Sequence, residues 1–196
     1  EAEERETVVA ISELIEYYKG IFTTLSSCAS RQLEEVTFRR ATISVPELMA
    51  TAGKYFRKVY KGNKAHIDFK IQPLEGRITG DWNQLRFLLE NLIDEACSVT
   101  LDGAVCLSAR EDGEFIRFLF TDMRREKTRE ELNQLFYPDL SRMTAGEKGE
   151  LYGTEYLVCK QIIRDHDEFA GRRGCRINAE PGKEGGFTIY FTLPKK

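Results

Sequence analysis

Gly80-Asp81-Trp82-Asn83-Gln84-Leu85-Arg86-Phe87-Leu88-Leu89-Glu90-Asn91-Leu92-Ile93-Asp94-Glu95-Ala96-Cys97 is the stretch from which the rest of the chain can be read. Leu85, Leu88, Leu89, Leu92, Ile93, Ala96 and Cys97 fall at i, i+3, i+4, i+7, i+8, i+11 and i+12, so one face of a helix is apolar and belongs to a core. Asp81 is placed to cap that helix, and Gln84, three residues on, supplies the other half of a capping box. Asn91 and Glu95, one turn apart, lie together along one edge of the apolar stripe.

Working outward, strand-like and helix-like periods alternate. Upstream, Phe38 to Ser44 is β-like, Val45-Pro46-Glu47 opens a helix to about Tyr60 with proline in its first turn, and Gly62-Asn63 breaks it. His66 to Ile71 and Arg77 to Thr79 read as strands. Downstream, Ala104 to Arg110 and Phe115 to Thr121 form a hairpin around Glu111-Asp112-Gly113. A helix from Thr128 to Phe136 follows, then a polar stretch from Tyr137 to Gly153 of the length expected for a lid. A helix from Thr154 to Asp167 and strands Cys175 to Ala179 and Phe187 to Leu193 complete an α/β two-layer sandwich of a mixed sheet and helices.

Ahead of this domain, Glu3 to Val36 reads as one long helix. Val8, Ile11, Ile15, Tyr18, Phe22, Leu25 and Ala29 follow a heptad seam, and Leu14, Ile21 and Cys28 widen it, which favours a helical bundle made by dimerisation. The expected division is therefore 1–37, a helical dimerisation segment, and 38–196, the α/β domain.

Composition excludes several classes. Of 196 residues, 41% are hydrophobic and 31% charged, a globular balance. The net charge of −3 provides no general attraction to nucleic acid or anionic membrane, and no apolar run is long enough to span a bilayer. Five cysteines are scattered singly, so the expectation is buried, reduced thiols in a cytoplasmic protein. His66 and His166 have no Cys or His at metal-ligand spacing. Starting at Glu1 without methionine, the chain reads as a piece of a longer protein, whose remainder has room for a sensor or membrane anchor.

Gly80-Asp81-Trp82-Asn83-Gln84-Leu85-Arg86 with Glu90-Asn91-Leu92-Ile93-Asp94-Glu95-Ala96 resembles the signature of the GHKL-type, Bergerat-type ATP-binding domain of sensor histidine kinases. Lys160-Gln161-Ile162-Ile163, Glu180-Pro181-Gly182-Lys183 and Phe187 to Pro194 resemble the end of the same domain, so the likeness runs from about Val45 to Pro194. The resemblance implies ATP and magnesium as cofactors where the site is functional. It places Asn91 and Glu95 at the two helix asparagine positions, Glu95 at the one that ligates magnesium. Asp122 falls at the aspartate that reads adenine, and Gly153 at a glycine beside a mobile lid. It also implies a homodimer through the first helix and a response-regulator-like partner.

This chain departs from the pattern where phosphates would lie. The box behind Asp122 has lost both glycines and reads Asp122-Met123-Arg124-Arg125-Glu126; Glu155 replaces the partner of Gly153. A side chain where backbone must approach a ligand is an obstruction. A carboxylate about 4 Å from a phosphate charge costs roughly 4 kcal/mol at an effective dielectric of 20. Arg124 and Arg125 are expected to pair with Glu155 and fill the cleft. No histidine precedes His66, so the family's phosphoacceptor is missing from these residues. The expected function is a catalytically impaired, pseudokinase-type signalling module that binds no nucleotide. The alternative is an active ATP/Mg-binding domain in which Glu95 holds the metal and Arg124 or Arg125 the phosphates. Asp165-His166-Asp167 reads as helix-end packing and charge, and Arg172-Arg173 with Arg176 as a solvated basic turn.

Overall fold

The computed structural model describes residues 38–60, 65–136 and 154–196, the isolated positions Thr7 and Ile11, and only the backbone of Thr154 and Glu155. The chain divides into two compact units, Glu1–Thr37 and Phe38–Lys196. Of the first, Thr7 and Ile11 are helical and Ile11 is exposed; the rest of the expected Glu3–Val36 helix lies outside the described residues, as do Cys28, Gly62-Asn63 and the Tyr137–Gly153 stretch.

The second unit runs β1 (Arg40–Ser44), α1 (Val45–Tyr60), β2 (Ile67–Gln72), β3 (Arg77–Asp81), α2 (Trp82–Ser98), β4 (Gly103–Asp112), β5 (Phe115–Asp122), α3 (Arg129–Gln134), α4 (Thr154–Phe169), β6 (Ile177–Pro181) and β7 (Phe187–Pro194). Five strands form a sheet in the order β2-β4-β5-β7-β6, parallel only between β2 and β4, and β1 pairs antiparallel with β3 in a separate ribbon. This is the expected two-layer sandwich with a mixed sheet. Alternation along β4 and β5 turns Val105, Leu107, Ile116, Phe118 and Phe120 inward, where they meet the Leu85–Ala96 stripe of α2 and Ile162 and Ile163 of α4 in one core. Phe118 and Phe191 stack across β5 and β7 with centroids 5.0 Å apart. Among the described residues no helix is long and apolar enough to cross a membrane. Of the described cysteines Cys159 is buried, while Cys97, Cys106 and Cys175 are half-buried.

The cap of α2 departs from the expected capping box. The Asp81 carboxylate does accept from the Gln84 amide (3.1 Å), and its second oxygen accepts from the Arg39 amide (2.8 Å). But the Asp81 N–H, which the Gln84 side chain would take in a capping box, donates instead to His166 Nε2 at 3.0 Å. His166 Nδ1 faces the Ile162 carbonyl at 2.7 Å, which places the proton on Nδ1 and makes the ring neutral. His166 is fully buried, with Phe38 edge-on at 4.9 Å, and a Cβ at Gly80 would stand 2.9 Å from it. The helix-end packing expected of His166 is present; the charge is not.

Burial holds the His166 pKa below its ordinary value despite the Asp81 carboxylate and the Ile162 carbonyl. A base depressed in the folded state adds stability that is complete above its unfolded pKa near 6.5 and is lost as pH falls through the folded value. His166→Leu orphans the buried Asp81 N–H and is expected to lose about 1–3 kcal/mol at pH 7 by urea denaturation. That deficit narrows as the pH is lowered through 6.5, because only the wild type then loses the histidine's contribution.

Candidate functional site

Strand β5 ends by pointing Asp122 inward, after Ile116, Phe118 and Phe120, so its carboxylate enters the layer between sheet and α2 with no solvent exposure. A carboxylate there needs several donors to stay ionised. The two residues that follow supply them. Arg124 donates to Oδ1 from its backbone N–H (3.0 Å) and Nε (2.9 Å), and to Oδ2 from Nη2 (2.7 Å). Arg125 adds Nε at 3.0 Å to Oδ2. Burial alone would push the Asp122 carboxyl up, but the Arg124 hydrogen bonds and the Arg125 charge outweigh it and hold the group below the usual carboxylate range.

Each arginine is also tied to α2. The Arg124 side chain, wholly buried, donates from Nη2 to the Ala96 carbonyl (2.7 Å) and from Nη1 to the Leu101 carbonyl (3.1 Å). Ala96 lies in the last turn of α2, which contains no basic residue of its own, so Arg124 satisfies an orphan carbonyl and places a cation at the negative end of the helix. Arg125 grips Glu95 with a two-pronged pair, Nη1 to Oε1 at 2.9 Å and Nη2 to Oε2 at 2.8 Å. Its guanidinium lies 5.3 Å from the Phe187 ring centroid at the start of β7, and Lys127 Nζ lies 5.4 Å from the same ring. Tyr156 of α4 closes this side; burial and the nearby Glu95 carboxylate raise its phenol pKa well above the ordinary value. Gly186 allows β7 to pass: with φ +69° it sits where a Cβ would be 2.0 Å from the Asp122 carbonyl oxygen.

The structure therefore brings Glu95, Asp122, Arg124 and Arg125 into one cluster of two carboxylates and two guanidiniums. Asn91 lies one turn before Glu95, and its amide donates to the Phe87 carbonyl of its own helix at 2.7 Å. Glu126, after the arginines, is exposed and makes no part of the cluster. Gly153 and the Glu155 side chain, and with it the expected pairing to Glu155, lie outside the described residues; the described carboxylates that hold Arg125 are Glu95 and Asp122. The Arg125–Glu95 pair was missed because the two are 30 positions apart; its one sequence signal was an acid on the inner edge of α2 facing two consecutive cations. Among the described residues no group of acidic, histidine or cysteine side chains is arranged to hold a metal.

Residues 80–196 match the family of histidine kinase-, DNA gyrase B-, and HSP90-like ATPases. The adaptive-response sensory kinase SasA of Thermosynechococcus vestitus is 26% identical over 177 residues, 89% of this chain and 44% of that protein, so the chain spans less than half the length of this relative. Among solved structures, the nucleotide-free catalytic domain of histidine kinase ThkA superposes with a TM-score of 0.61 at 18% identity, covering 80% of this chain and 96% of that one. The histidine kinase AdeS of Acinetobacter baumannii gives 0.64 at 12% identity over 94% and 82%. Full-length ShkA in complex with AMPPNP gives 0.67 at 18% identity, covering all of this chain and 39% of that one. At these identities the superpositions show a shared fold, and together with the match over residues 80–196 they establish that the chain belongs to the histidine kinase-, DNA gyrase B-, and HSP90-like ATPase family.

Proposed function

We propose that this chain is a pseudokinase-type module of a sensor protein, in which the arginines of the altered box fill the nucleotide site and the scaffold serves dimerisation and protein interaction. One observation carries the reading: both carboxylates that the family resemblance assigns to adenine and magnesium are already bonded within the chain. Asp122 is surrounded by Arg124 and Arg125, and both oxygens of Glu95 are held by Arg125. Magnesium needs near-octahedral oxygen donors at about 2.0–2.1 Å, and a carboxylate gripped by a guanidinium is a poor one. Asn91 spends its amide nitrogen on its own helix, and its oxygen would offer a magnesium ion a single neutral donor. The residues present do not fit a magnesium-bound triphosphate.

The heptad seam supports a homodimer through residues 1–37, and Ile11, a seam position, is 51% exposed in the single chain. Operation in the cytoplasm with a response-regulator-like partner follows from the family and belongs to the same proposal. Thermal unfolding tests the reading. A true ligand at 100 times its dissociation constant stabilises a protein by about 2.7 kcal/mol. Millimolar ATP with magnesium is expected to leave the unfolding temperature unchanged in wild type and in Glu95→Ala alike. A wild-type shift of several degrees that Glu95→Ala abolishes would establish the alternative, an active site in which Glu95 holds the metal.

A further inference from the structure

The sheet has a second face, turned away from the core, and its charges are unevenly placed. Strand register puts Arg110 of β4 directly opposite Arg117 of β5, and Arg117 opposite Thr192 of β7. The Arg176 backbone, leading into β6, brackets Thr192: its N–H donates to Thr192 Oγ1 and its carbonyl accepts from the Thr192 N–H. Three arginines thus stand in one row across four adjacent chain segments, spaced by about one and two strand separations, roughly 5 and 10 Å.

Among the described residues a single carboxylate serves this row. Asp112 accepts from Arg117 Nε (3.0 Å) and Nη2 (2.7 Å), and Arg176 approaches the same oxygen only at 3.9 Å with its side chain 57% exposed. Arg110 is exposed and makes no ion pair among the described residues. Other surface cations nearby are matched one to one, Lys70 with Asp68, Lys195 with Glu111, Arg172 with Glu114 and Arg173 with Asp167. Like charges directly opposite in a sheet destabilise it. An anion lying between them would reverse that term. The excess positive charge is local, since the chain as a whole carries −3.

Beside the arginines runs an uncharged row, Ser108, Leu119, Tyr190 and Asn178, in register across the same four strands. Arg117 lies over the Tyr190 ring at 4.7 Å, so the two rows are in contact. Guanidinium forks pair with carboxylates and phosphates alike, and it is Leu119 with the Tyr190 ring, an apolar neighbour for an adjoining side chain, that favours an acidic peptide.

We propose that this end of the open sheet face docks an acidic segment of another protein, with carboxylates on Arg110, Arg117 and Arg176 and an apolar side chain on Leu119 and Tyr190. The test is fluorescence anisotropy with a labelled octapeptide of Asp and Glu residues around one Leu, its Asn/Gln counterpart, and a single-stranded oligonucleotide of equal charge. The acidic peptide is expected to bind, to weaken as salt rises from 50 to 200 mM, and to bind about tenfold more weakly to Arg110→Glu/Arg176→Glu. Arg110→Gln, which breaks no described contact, should weaken it about threefold with the thermal unfolding unchanged. Equal binding by the neutral peptide, tighter binding by the oligonucleotide, or wild-type affinity in Arg110→Gln would each overturn the proposal.

Discussion

Asp122→Asn is expected to lower the free energy of unfolding by about 3–5 kcal/mol near neutral pH, read as a reduced urea midpoint with an unchanged slope. The substitution keeps the side-chain shape and one acceptor oxygen but removes the charge facing two guanidiniums. Arg125 retains Glu95, whereas Arg124, with no exposed side-chain surface, is left with neutral acceptors alone, the Asn amide oxygen and the Ala96 and Leu101 carbonyls. A buried cation without a counter-charge is among the few changes that cost a domain this much, against a total stability of about 5–15 kcal/mol. The acid limb supplies a second readout. The Asp122 carboxyl is held below its ordinary value in the folded state, so its stabilisation is complete above the unfolded pKa near 3.8 and is lost as pH falls through the folded one. Wild type and Asp122→Asn should therefore converge in stability on acidification below pH 4.

Arg125→Ala is expected to cost about 3 kcal/mol at pH 7 and to have that cost relieved in a higher pH window, between 7 and 4. Arg125 bonds both the Glu95 and Asp122 carboxylates; without it Asp122 keeps Arg124, whereas the mostly buried Glu95 loses the counter-charge described for it. Burial and a neighbouring carboxylate raise carboxyl pKa values, so the variant takes up a proton above the ordinary carboxylate range. In the variant the folded state then binds the extra proton and gains stability relative to the unfolded chain as pH falls from 7 toward 4. The penalty should shrink over that interval, measured by urea denaturation at successive pH values. A penalty that stayed constant would mean that Arg125 acts by packing on Phe187 rather than by neutralising the pair.

Local patterns in the sequence carried the fold. The seven-position stripe of α2 and the inward alternation of β5 each bury one face, and that periodicity is a property of neighbouring residues. The Asp81 cap was readable for the same reason. Its second half was not: the Asp81 N–H goes to His166, 85 positions away, which wins over Gln84 because burial on α4 leaves its ring nitrogen no other use. The site divides in the same way. That the box behind Asp122 carries Arg124 and Glu126 in place of glycines, with Arg125 between them, is plain from the residues. Which carboxylate they would take depended on how α2 and β5 are set side by side, and that placed Glu95 against Arg125. The basic turn at Arg172 and Arg173 is solvated as expected, with Arg172 on the distant Glu114 and Arg173 on Asp167, but Arg176 joins Arg110 and Arg117 only through the β4-β5-β7 register.

The altered box contributes to the fold as well as obstructing a site. Arg124 closes the carboxyl end of α2 and ties it to the end of β5. Restoring glycine at position 124 would thus remove an obstruction and a fastening together, and recovered nucleotide binding would come with lost stability.

The account stands on the internal occupation of Asp122 and Glu95, and electron density tests it most directly. Crystals grown with a millimolar non-hydrolysable ATP analogue and magnesium are predicted to show Arg124 still bonded to Asp122, Arg125 still bonded to Glu95, and no ordered nucleotide between α2 and β5. An adenine ring ordered against the Asp122 carboxylate, with Arg125 displaced from Glu95, would contradict it.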